Sequence, residues 1–389
     1  MSIHRLFSRA RNRMSRNPAH GAAPPLSFGR PLLLFQSDDW GRVGVRDREG
    51  WKSLQANGIP LGESPYDFYS LETAEDVLAL GAVLKKHRDS VGRNPAIGMN
   101  FIMANIDFDF DRWPPSHENE LPLVPLTSGL PSPWQRPQLF EAYRQGIQEG
   151  VFFAALHGLT HFCAKAVARA LAADGERGQL TRKMWRAQTP YIYWRMPWIG
   201  YEYWDAELQP ERRFLSLDDQ RSIILRAAEI YQALFTSAPF SACAPGYRAN
   251  ADTSTAWFEA GVRVAQHGPG KRNAPYLDGR GMLHTFRMIE MEPAIATCAL
   301  QNLTADAERC FASGLPAVVS VHSINFHSSL RDFRTPTLTL LDELLSALEK
   351  RWPNLLYVQD ADLFHIATEG FYVTQGQHVD VAVTSSGKI

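Results

Sequence analysis

Two adjacent carboxylates and a spaced pair of imidazoles are the residues in this sequence that suggest chemistry. An apolar run at residues 32–36 is followed closely by Asp38 and Asp39, and a second apolar run ends at His157, four residues before His161. Two histidines and one carboxylate are typical ligands of a catalytic metal ion, and they leave a position open for water. A further carboxylate beside such a site can accept a proton from that water. The pattern therefore predicts a divalent metal site with a general base.

Each motif also has an interpretation without chemistry. A pair of adjacent aspartates is commonly a solvated turn. Two histidines four residues apart, here His157 and His161, lie on one face of a helical turn, where they can bind a cation or simply form part of a surface. Their position directly after apolar runs favours the metal site.

Two more apolar runs end in candidate functional residues. One run is followed by Ala-Pro-Gly-Tyr-Arg-Ala-Asn at residues 244–250, and another is followed by His322 and His327. In a (β/α) barrel the carboxyl ends of the strands form one face, and active sites lie there. We therefore expect residues from almost 300 positions of sequence to meet at one mouth.

The alternation of apolar runs with helical patterns predicts the elements that position these residues. Seven strands are predicted, at residues 32–36, 96–103, 151–156, 240–244, 262–266, 317–321 and 355–358. Seven helices are predicted, at residues 71–86, 137–149, 161–173, 217–235, 253–260, 304–313 and 337–351. Strands that alternate with helices form a mainly parallel sheet, so the predicted fold class is α/β, a distorted (β/α) barrel of about seven strands with loop insertions.

The flanks and two long segments do not fit this repeat. Residues 1–30 carry six arginines and no acidic residue, which predicts a disordered basic arm. Residues 31–368 are predicted to form the barrel, with insertions near residues 104–136 and 184–205, and residues 369–389 to form a C-terminal tail. The second insertion is strongly aromatic, so it could stack on sugar rings or form core beneath a loop.

Composition excludes several classes of function. The net charge is −1, which gives no general attraction to nucleic acid or to an anionic membrane. No apolar run approaches the roughly 20 residues that span a bilayer. The four cysteines show no Cys-x-x-Cys spacing, which favours a reducing compartment and a cytoplasmic location. The basic arm leaves peripheral contact with a membrane open, and nothing in the sequence indicates the oligomeric state.

The motifs resemble those of the polysaccharide deacetylase superfamily, also called the NodB-homology or carbohydrate esterase 4 family. Ser-Asp-Asp-Trp-Gly, His-Gly-Leu-Thr-His, Ala-Pro-Gly-Tyr-Arg-Ala-Asn and Val-Ser-Val-His-Ser resemble four family motifs, and they occur in the family's order over roughly residues 31–365. The resemblance implies a distorted (β/α) barrel and metal-dependent hydrolysis.

The resemblance also implies a role for each matched residue. Asp38 would be the general base, and Asp39, His157 and His161 would bind the metal. His322 would be the general acid. Zinc is the expected ion for two histidines and one aspartate, although other divalent ions suit the same ligands.

The substrate groove is predicted from the third motif and from the residue after the aspartates. By resemblance, Pro245 and Tyr247 line the groove, and the Tyr247 backbone N–H binds the oxyanion. Arg248 is the neighbouring substrate-binding candidate, and Trp40 is predicted at the rim.

Three departures from the family pattern matter. The family's arginine that pairs with the catalytic aspartate is replaced by Cys243, and Arg248 is the expected substitute. The carboxylate that tunes the acid histidine has no match near His267, which leaves Asp332 as a candidate. The third motif is closer to the Gly-Trp-Arg-Ala turn of bacterial deformylases that act on an aminoarabinose lipid.

The sequence therefore predicts a metal-dependent hydrolase that removes an acetyl or formyl group from an amino sugar or sugar ester of a glycan. One alternative is a hydrolase of a small non-peptide amide on the same barrel. The other is a catalytically silent barrel that binds glycans, which would be expected to lack a ligand or the base. A carbohydrate or glycan-linked substrate is the expected partner.

Overall fold

The computed structural model describes residues 23–107, 121–132, 134–189, 200–270 and 272–385. Most of the predicted basic arm and the central parts of both predicted insertions lie outside these residues. No helix of the described chain is long and apolar enough to cross a bilayer.

The strands are short and mostly buried. In chain order they are β1 (Leu26–Phe28), β2 (Leu32–Trp40), β3 (Ile97–Ile102), β4 (Ala104–Ile106), β5 (Leu123–Pro125), β6 (Phe152–Gly158), β7 (Ser241–Cys243), β8 (Val264–His267), β9 (Tyr276–Leu277), β10 (Leu283–Phe286), β11 (Ile289–Glu290), β12 (Ala317–His322), β13 (Leu356–Tyr357), β14 (Phe371–Thr374), β15 (Gln377–Asp380) and β16 (Val383–Ser385).

The helices pack around the outside of the main sheet. They are α1 (Arg48–Ala56), α2 (Ala74–Leu84), α3 (Leu139–Gln148), α4 (Ala164–Ala172), α5 (Glu176–Arg186), α6 (Leu217–Phe235), α7 (Ala251–Glu259), α8 (Leu300–Ala312), α9 (Arg334–Arg351) and α10 (Asp360–Glu369). All seven predicted helices are present within a few residues of the predicted bounds, and α1, α5 and α10 were not predicted.

The main sheet is a distorted (β/α) barrel, as predicted. Its strand order is β11-β12-β2-β3-β6-β7-β8-β10-β9, with β13 paired to β2. The pairings are parallel except for β9 on β10. The seven predicted strands correspond to β2, β3, β6, β7, β8, β12 and β13, so the fold class is confirmed.

A stretch without a strand prediction bridges the two sides of the sheet. β10 pairs with β8, and β11 pairs with β12, so the chain crosses from one side to the other within a few residues. At the crossing, the Arg287 N–H donates to the carbonyl of His267 at 3.0 Å, and the Met288 N–H donates to the carbonyl of Val318 at 2.9 Å. Arg287 therefore lies where the barrel closes.

The barrel interior has an apolar end and a polar end. At the apolar end, Leu34, Val318 and Leu356 are fully buried in one cluster. Nearer the strand carboxyl ends, the side-chain amides of Gln36 and Gln266 donate to Asp360 at 2.8 and 2.7 Å. The same two glutamine side chains accept hydrogen bonds from Arg287, so this polar layer also contacts charged groups of the interior.

Much of the predicted C-terminal tail belongs to the fold. β14 and β15 form an antiparallel hairpin, and β16 pairs with β1, which lies in the predicted basic arm. The side chains of Tyr372, Val379 and Val381 are buried against the apolar end of the barrel. Residues 371–385 therefore cover the barrel floor rather than form a tail.

We predict that Tyr372→Ala lowers the free energy of unfolding by about 3 kcal/mol, because it removes a fully buried ring from the barrel floor. Val373→Ala on the same hairpin should change it by less than about 0.5 kcal/mol, since Val373 is 60% exposed. Urea unfolding measures both. Equal losses, or none for Tyr372→Ala, would contradict the buried floor.

Candidate active site

A bulge in β2 brings both aspartates of the pair to the same side of the sheet. Successive strand residues normally point to opposite faces. Between Ser37 and Trp40 the register of β2 against β3 shifts by one residue, and Asp39 has a φ of +75°. An extra residue of this kind re-aims a side chain. Both aspartates consequently approach His157: Oδ1 of Asp38 lies 4.0 Å from its Nδ1, and Oδ1 of Asp39 lies 3.5 Å from its Nε2.

Buried polar groups hold this unusual backbone. The Tyr69 hydroxyl donates to the carbonyl of Asp39 at 2.9 Å, and the N–H of Gly41 donates to Glu72 at 2.9 Å. His327 lies 3.2 Å from the other oxygen of Glu72, and both side chains are fully buried. A residue with positive φ persists only where its surroundings impose it.

Asp39, His157 and His161 converge on one point, as the sequence predicts. The Oδ1 atom of Asp39 lies 3.5 Å from Nε2 of His157 and 3.0 Å from Nε2 of His161. Two ligand atoms held at about 2.0–2.1 Å from a tetrahedral zinc ion would lie about 3.3 Å apart. The Nδ1 of His157 lies 2.9 Å from the carbonyl of Cys243, a contact that leaves Nε2 for the metal. This donor set fits a divalent ion.

The two histidines meet without a helix. His157 belongs to β6 and His161 lies between that strand and α4. The prediction that both histidines lie on one helical turn is therefore wrong, although their side chains do meet. Burial and the Arg42 cation lower the pKa of His161 to about 4, which makes the imidazole neutral at neutral pH. A metal ligand must be in that form.

Asp38 is paired with an arginine that the sequence analysis missed. Arg287 donates to both oxygens of Asp38, each at 2.6 Å, and both side chains are fully buried. Asn100 also donates to Asp38 at 2.6 Å. Burial opposes the charge of Asp38, but Arg287 outweighs it and holds the pKa of that carboxyl well below its usual range. The pairing predicted for Arg248 is therefore wrong.

His322 has a carboxylate partner that was also missed. Its Nδ1 lies 2.6 Å from Glu292, and its Nε2 lies 3.8 Å from Oδ2 of Asp38. Burial lowers the pKa of a histidine, but Glu292 outweighs it and raises the pKa of His322 to about 9. Asp332, the candidate from sequence, instead accepts the backbone N–H of Thr335 at 3.0 Å.

Both missed residues follow the unpredicted strands. Arg287 comes directly after β10, and Glu292 comes two residues after β11. These strands are only four and two residues long, too short for the alternation of apolar residues to identify them. In a (β/α) barrel, functional residues lie at the carboxyl ends of the strands. A prediction of β10 and β11 would therefore have indicated Arg287 and Glu292 as candidate site residues.

The third motif forms a short 3₁₀ turn, Pro245–Tyr247. The hydroxyl of Tyr247 accepts a hydrogen bond from Arg287 at 2.9 Å, which attaches the turn to the Asp38 pair. The backbone N–H of Tyr247 donates to the carbonyl of Ala244 at 2.8 Å. Its predicted role as an oxyanion donor therefore requires that hydrogen bond to open.

The part of the aromatic insertion from residue 200 onward packs against this turn. The Arg248 guanidinium lies 5.3 Å from the ring centroid of Tyr201 and 4.8 Å from that of Trp204, and Arg213 also lies over Trp204, at 5.2 Å. Trp204 is 8% exposed. Its ring is thus covered by cations, which favours the core interpretation for this residue. Residues 190–199 of the insertion lie outside the described chain.

Trp40 does not lie at the rim. It is fully buried, its indole N–H donates to Ser37 at 2.8 Å, and its ring stacks on Phe326 at 5.9 Å. The bulge explains the error, because the extra residue turns Trp40 into the core beneath the aspartates.

Comparisons with known proteins give structural matches of low identity. No family model matches the chain, and no curated protein matches its sequence. Solved structures similar to it include a probable polysaccharide deacetylase from Pseudomonas aeruginosa PAO1, with a TM-score of 0.47 and 10% identity over 87% of this chain and 92% of that one. A family 4 carbohydrate esterase from Streptomyces lividans, solved with acetate, has a TM-score of 0.34 and 10% identity over 84% and 90%. An allantoinase has a TM-score of 0.43 and 11% identity over 92% and 95%.

We predict that Arg287→Met lowers the free energy of unfolding by about 3–5 kcal/mol, because it leaves the Asp38 carboxylate buried without its cation. Adding Asp38→Asn should recover part of that loss, since the unpaired charge is then gone. A urea double-mutant cycle measures the coupling.

Arg221→Met is the control for this cycle, because Arg221 makes a two-point pair with Glu259 at the surface. It should change stability far less. Strictly additive losses for Asp38 and Arg287 would contradict the structural importance of their pair.

Proposed function

We propose that this protein is a divalent-metal-dependent hydrolase that removes an acetyl or formyl group from an amino sugar or sugar ester. The observation that carries the proposal is the convergence of Asp39, His157 and His161 beside Asp38 and His322. Three ligands, a carboxylate and an acidic imidazole together are the groups that acyl hydrolysis requires.

A divalent ion bound by Asp39, His157 and His161, for which zinc is our proposal, would polarise the acyl carbonyl and acidify a nearby water. Asp38 would accept the proton of the attacking water. Arg287 and Asn100 hold that carboxylate ionised and in one orientation. This chain thus positions its base through one side chain of β3 and one that directly follows β10.

His322 would protonate the leaving amine or alcohol. Its side chain is 22% exposed, whereas that of Asp38 is 2% exposed, so the acid lies nearer the solvent than the base. Glu292 keeps the imidazole protonated at neutral pH, the state that a general acid needs. Nε2 of His322 lies 3.8 Å from Oδ2 of Asp38, so the proposed acid and the proposed base lie beside each other.

The choice of a glycan substrate is supported by the four sequence motifs and their order. A small amide would use the same metal ligands, base and acid, and is the second candidate to test. A silent binding barrel is less well supported, because the chain retains the three ligands, the base and the acid.

We predict about one divalent ion per chain of purified protein, lost in both Asp39→Ala and His161→Ala because each removes one of three ligands. Metal analysis measures the content, and circular dichroism checks the fold. His87→Ala is the matched control, since His87 is equally buried but pairs with Asp342 and Glu349 elsewhere; it should keep the metal.

Wild-type protein that stays metal-free after incubation with zinc, cobalt and nickel would overturn the hydrolase proposal. If the metal is present, formylated and acetylated amino sugars, sugar esters and small amides should be compared as substrates. Hydrolysis of amides alone would favour the second candidate. His322→Ala should then reduce the rate by roughly 10²–10⁴-fold.

We predict that activity falls as the pH rises past about 9, because deprotonation of His322 removes the general acid. Glu292→Gln removes the charge that raises this pKa, so the alkaline limb should move toward or below about 6.5, the ordinary histidine value. Rate profiles and NMR titration of the imidazole measure the shift. Glu290→Gln changes an exposed neighbour and should leave the limb in place; an unmoved limb in Glu292→Gln would contradict the assignment.

A further inference from the structure

A buried carboxylate from the aromatic insertion contacts the loop between the two histidine ligands. Glu202 is 2% exposed. Its Oε1 accepts the backbone N–H of Thr160 at 2.6 Å and the hydroxyl of Thr160 at 3.0 Å, and its Oε2 accepts the backbone N–H of Leu159 at 3.1 Å. None of the steps proposed above uses this side chain.

These hydrogen bonds act on the short segment that sets the distance between two ligands. Leu159 and Thr160 lie between His157, at the end of β6, and His161, in the following turn. Their backbone N–H groups, two of the three between the histidines, donate to the same Glu202 side chain, so their orientations are fixed relative to it. The position of the His161 imidazole depends on those orientations.

The backbone leaves room for Glu202 through a glycine. Gly158 has a φ of +129°, a conformation that side chains disfavour, and a Cβ built on it would lie 2.2 Å from Oε2 of Glu202. Glycine at this position therefore allows both the turn of the chain and the close approach of the carboxylate.

The residues that directly follow Glu202 are held by contacts on two sides. The carbonyl of Tyr203 accepts the N–H of Leu215 at 2.9 Å, and the N–H of Asp205 donates to the carbonyl of Arg213 at 2.7 Å. The Asp205 side chain also pairs at 2.5 Å with Arg169 on α4, the helix that follows the ligand loop. The segment that carries Glu202 is thus anchored on one side to residues 213–215 and on the other to α4, the helix that follows His161.

We propose that Glu202 is a positioning residue that fixes His161 relative to His157 for metal binding. This inference rests on the proposed metal site. It assigns part of the aromatic insertion to the assembly of the site, and not to contact with substrate. Partners of metal ligands typically change metal affinity by 10–100-fold when they are removed.

The test titrates metal-free full-length protein with cobalt(II) in competition with a chelator. Glu202→Ala should weaken cobalt binding by about 10–100-fold and change the visible absorption of the bound ion. Glu202→Gln retains one acceptor oxygen but turns an N–H toward Leu159, so its affinity should lie between those of Glu202→Ala and wild type.

Gly158→Ala supplies an independent variant. Its methyl group would displace Oε2 of Glu202, so it should also weaken cobalt binding. In the double variant Gly158→Ala/Glu202→Ala, the loss of cobalt affinity should be smaller than the sum of the two single losses. If Glu202→Ala fails to fold, Glu202→Gln and Gly158→Ala carry the same comparison.

Asp89→Ala is the matched control. Asp89 is 8% exposed and accepts the backbone N–H groups of Val91, Arg93 and Tyr357, far from the ligands at the opposite end of β2. It should lose stability but keep cobalt affinity.

Three outcomes would overturn the inference. Cobalt affinity within twofold of wild type in Glu202→Ala, with an unchanged spectrum, overturns it and leaves the hydrolase proposal standing. An equal loss of affinity in Asp89→Ala overturns it as well, since the effect would then be general destabilisation. A wild-type protein that binds no cobalt overturns both this inference and the proposed function.

Discussion

The two-point ion pair between Asp38 and Arg287 is the interaction on which the interior of this barrel depends. Neither charge reaches solvent, and a buried pair repays its loss of hydration only with good geometry and satisfied neighbours. The polar layer of Gln36, Asn100 and Gln266 supplies those neighbours. Because Arg287 occupies the crossing between β10 and β11, the same pair connects the closure of the barrel to the orientation of the Asp38 carboxylate.

A second constraint comes from the backbone around Asp39, His157 and His161. Asp39 and Gly158 both have positive φ, and each lies where the strand register shifts. Such conformations require outside support, which Tyr69 gives to Asp39 and Glu202 gives to the loop after Gly158. Tyr69 lies 30 positions from Asp39 and Glu202 lies 43 positions from Leu159, so the site is assembled from distant parts of the chain.

The errors of the sequence analysis have a common physical origin. Arg287 and Glu292 were missed because strands of four and two residues carry too little periodicity to be identified. Trp40 was predicted at the rim because it directly follows the aspartates, but the bulge in β2 turns it into the core. Residues 371–385 were expected to be a tail, although Tyr372 and Val379 were available to cover an apolar floor that only the closed barrel exposes.

The sequence by itself determined the alternating strands and helices and the positions of Asp39, His157, His161 and His322 close to strand ends, because local apolar periodicity and short motifs encode these features directly. The tertiary structure decided which charged side chains contact these residues and the segments that carry them. Arg287, Glu292 and Glu202 lie far in sequence from the groups they contact, and the distance between two charges, which sets their interaction, is not encoded locally. These contacts form only in the folded barrel, where Glu202 lies against the residues between His157 and His161.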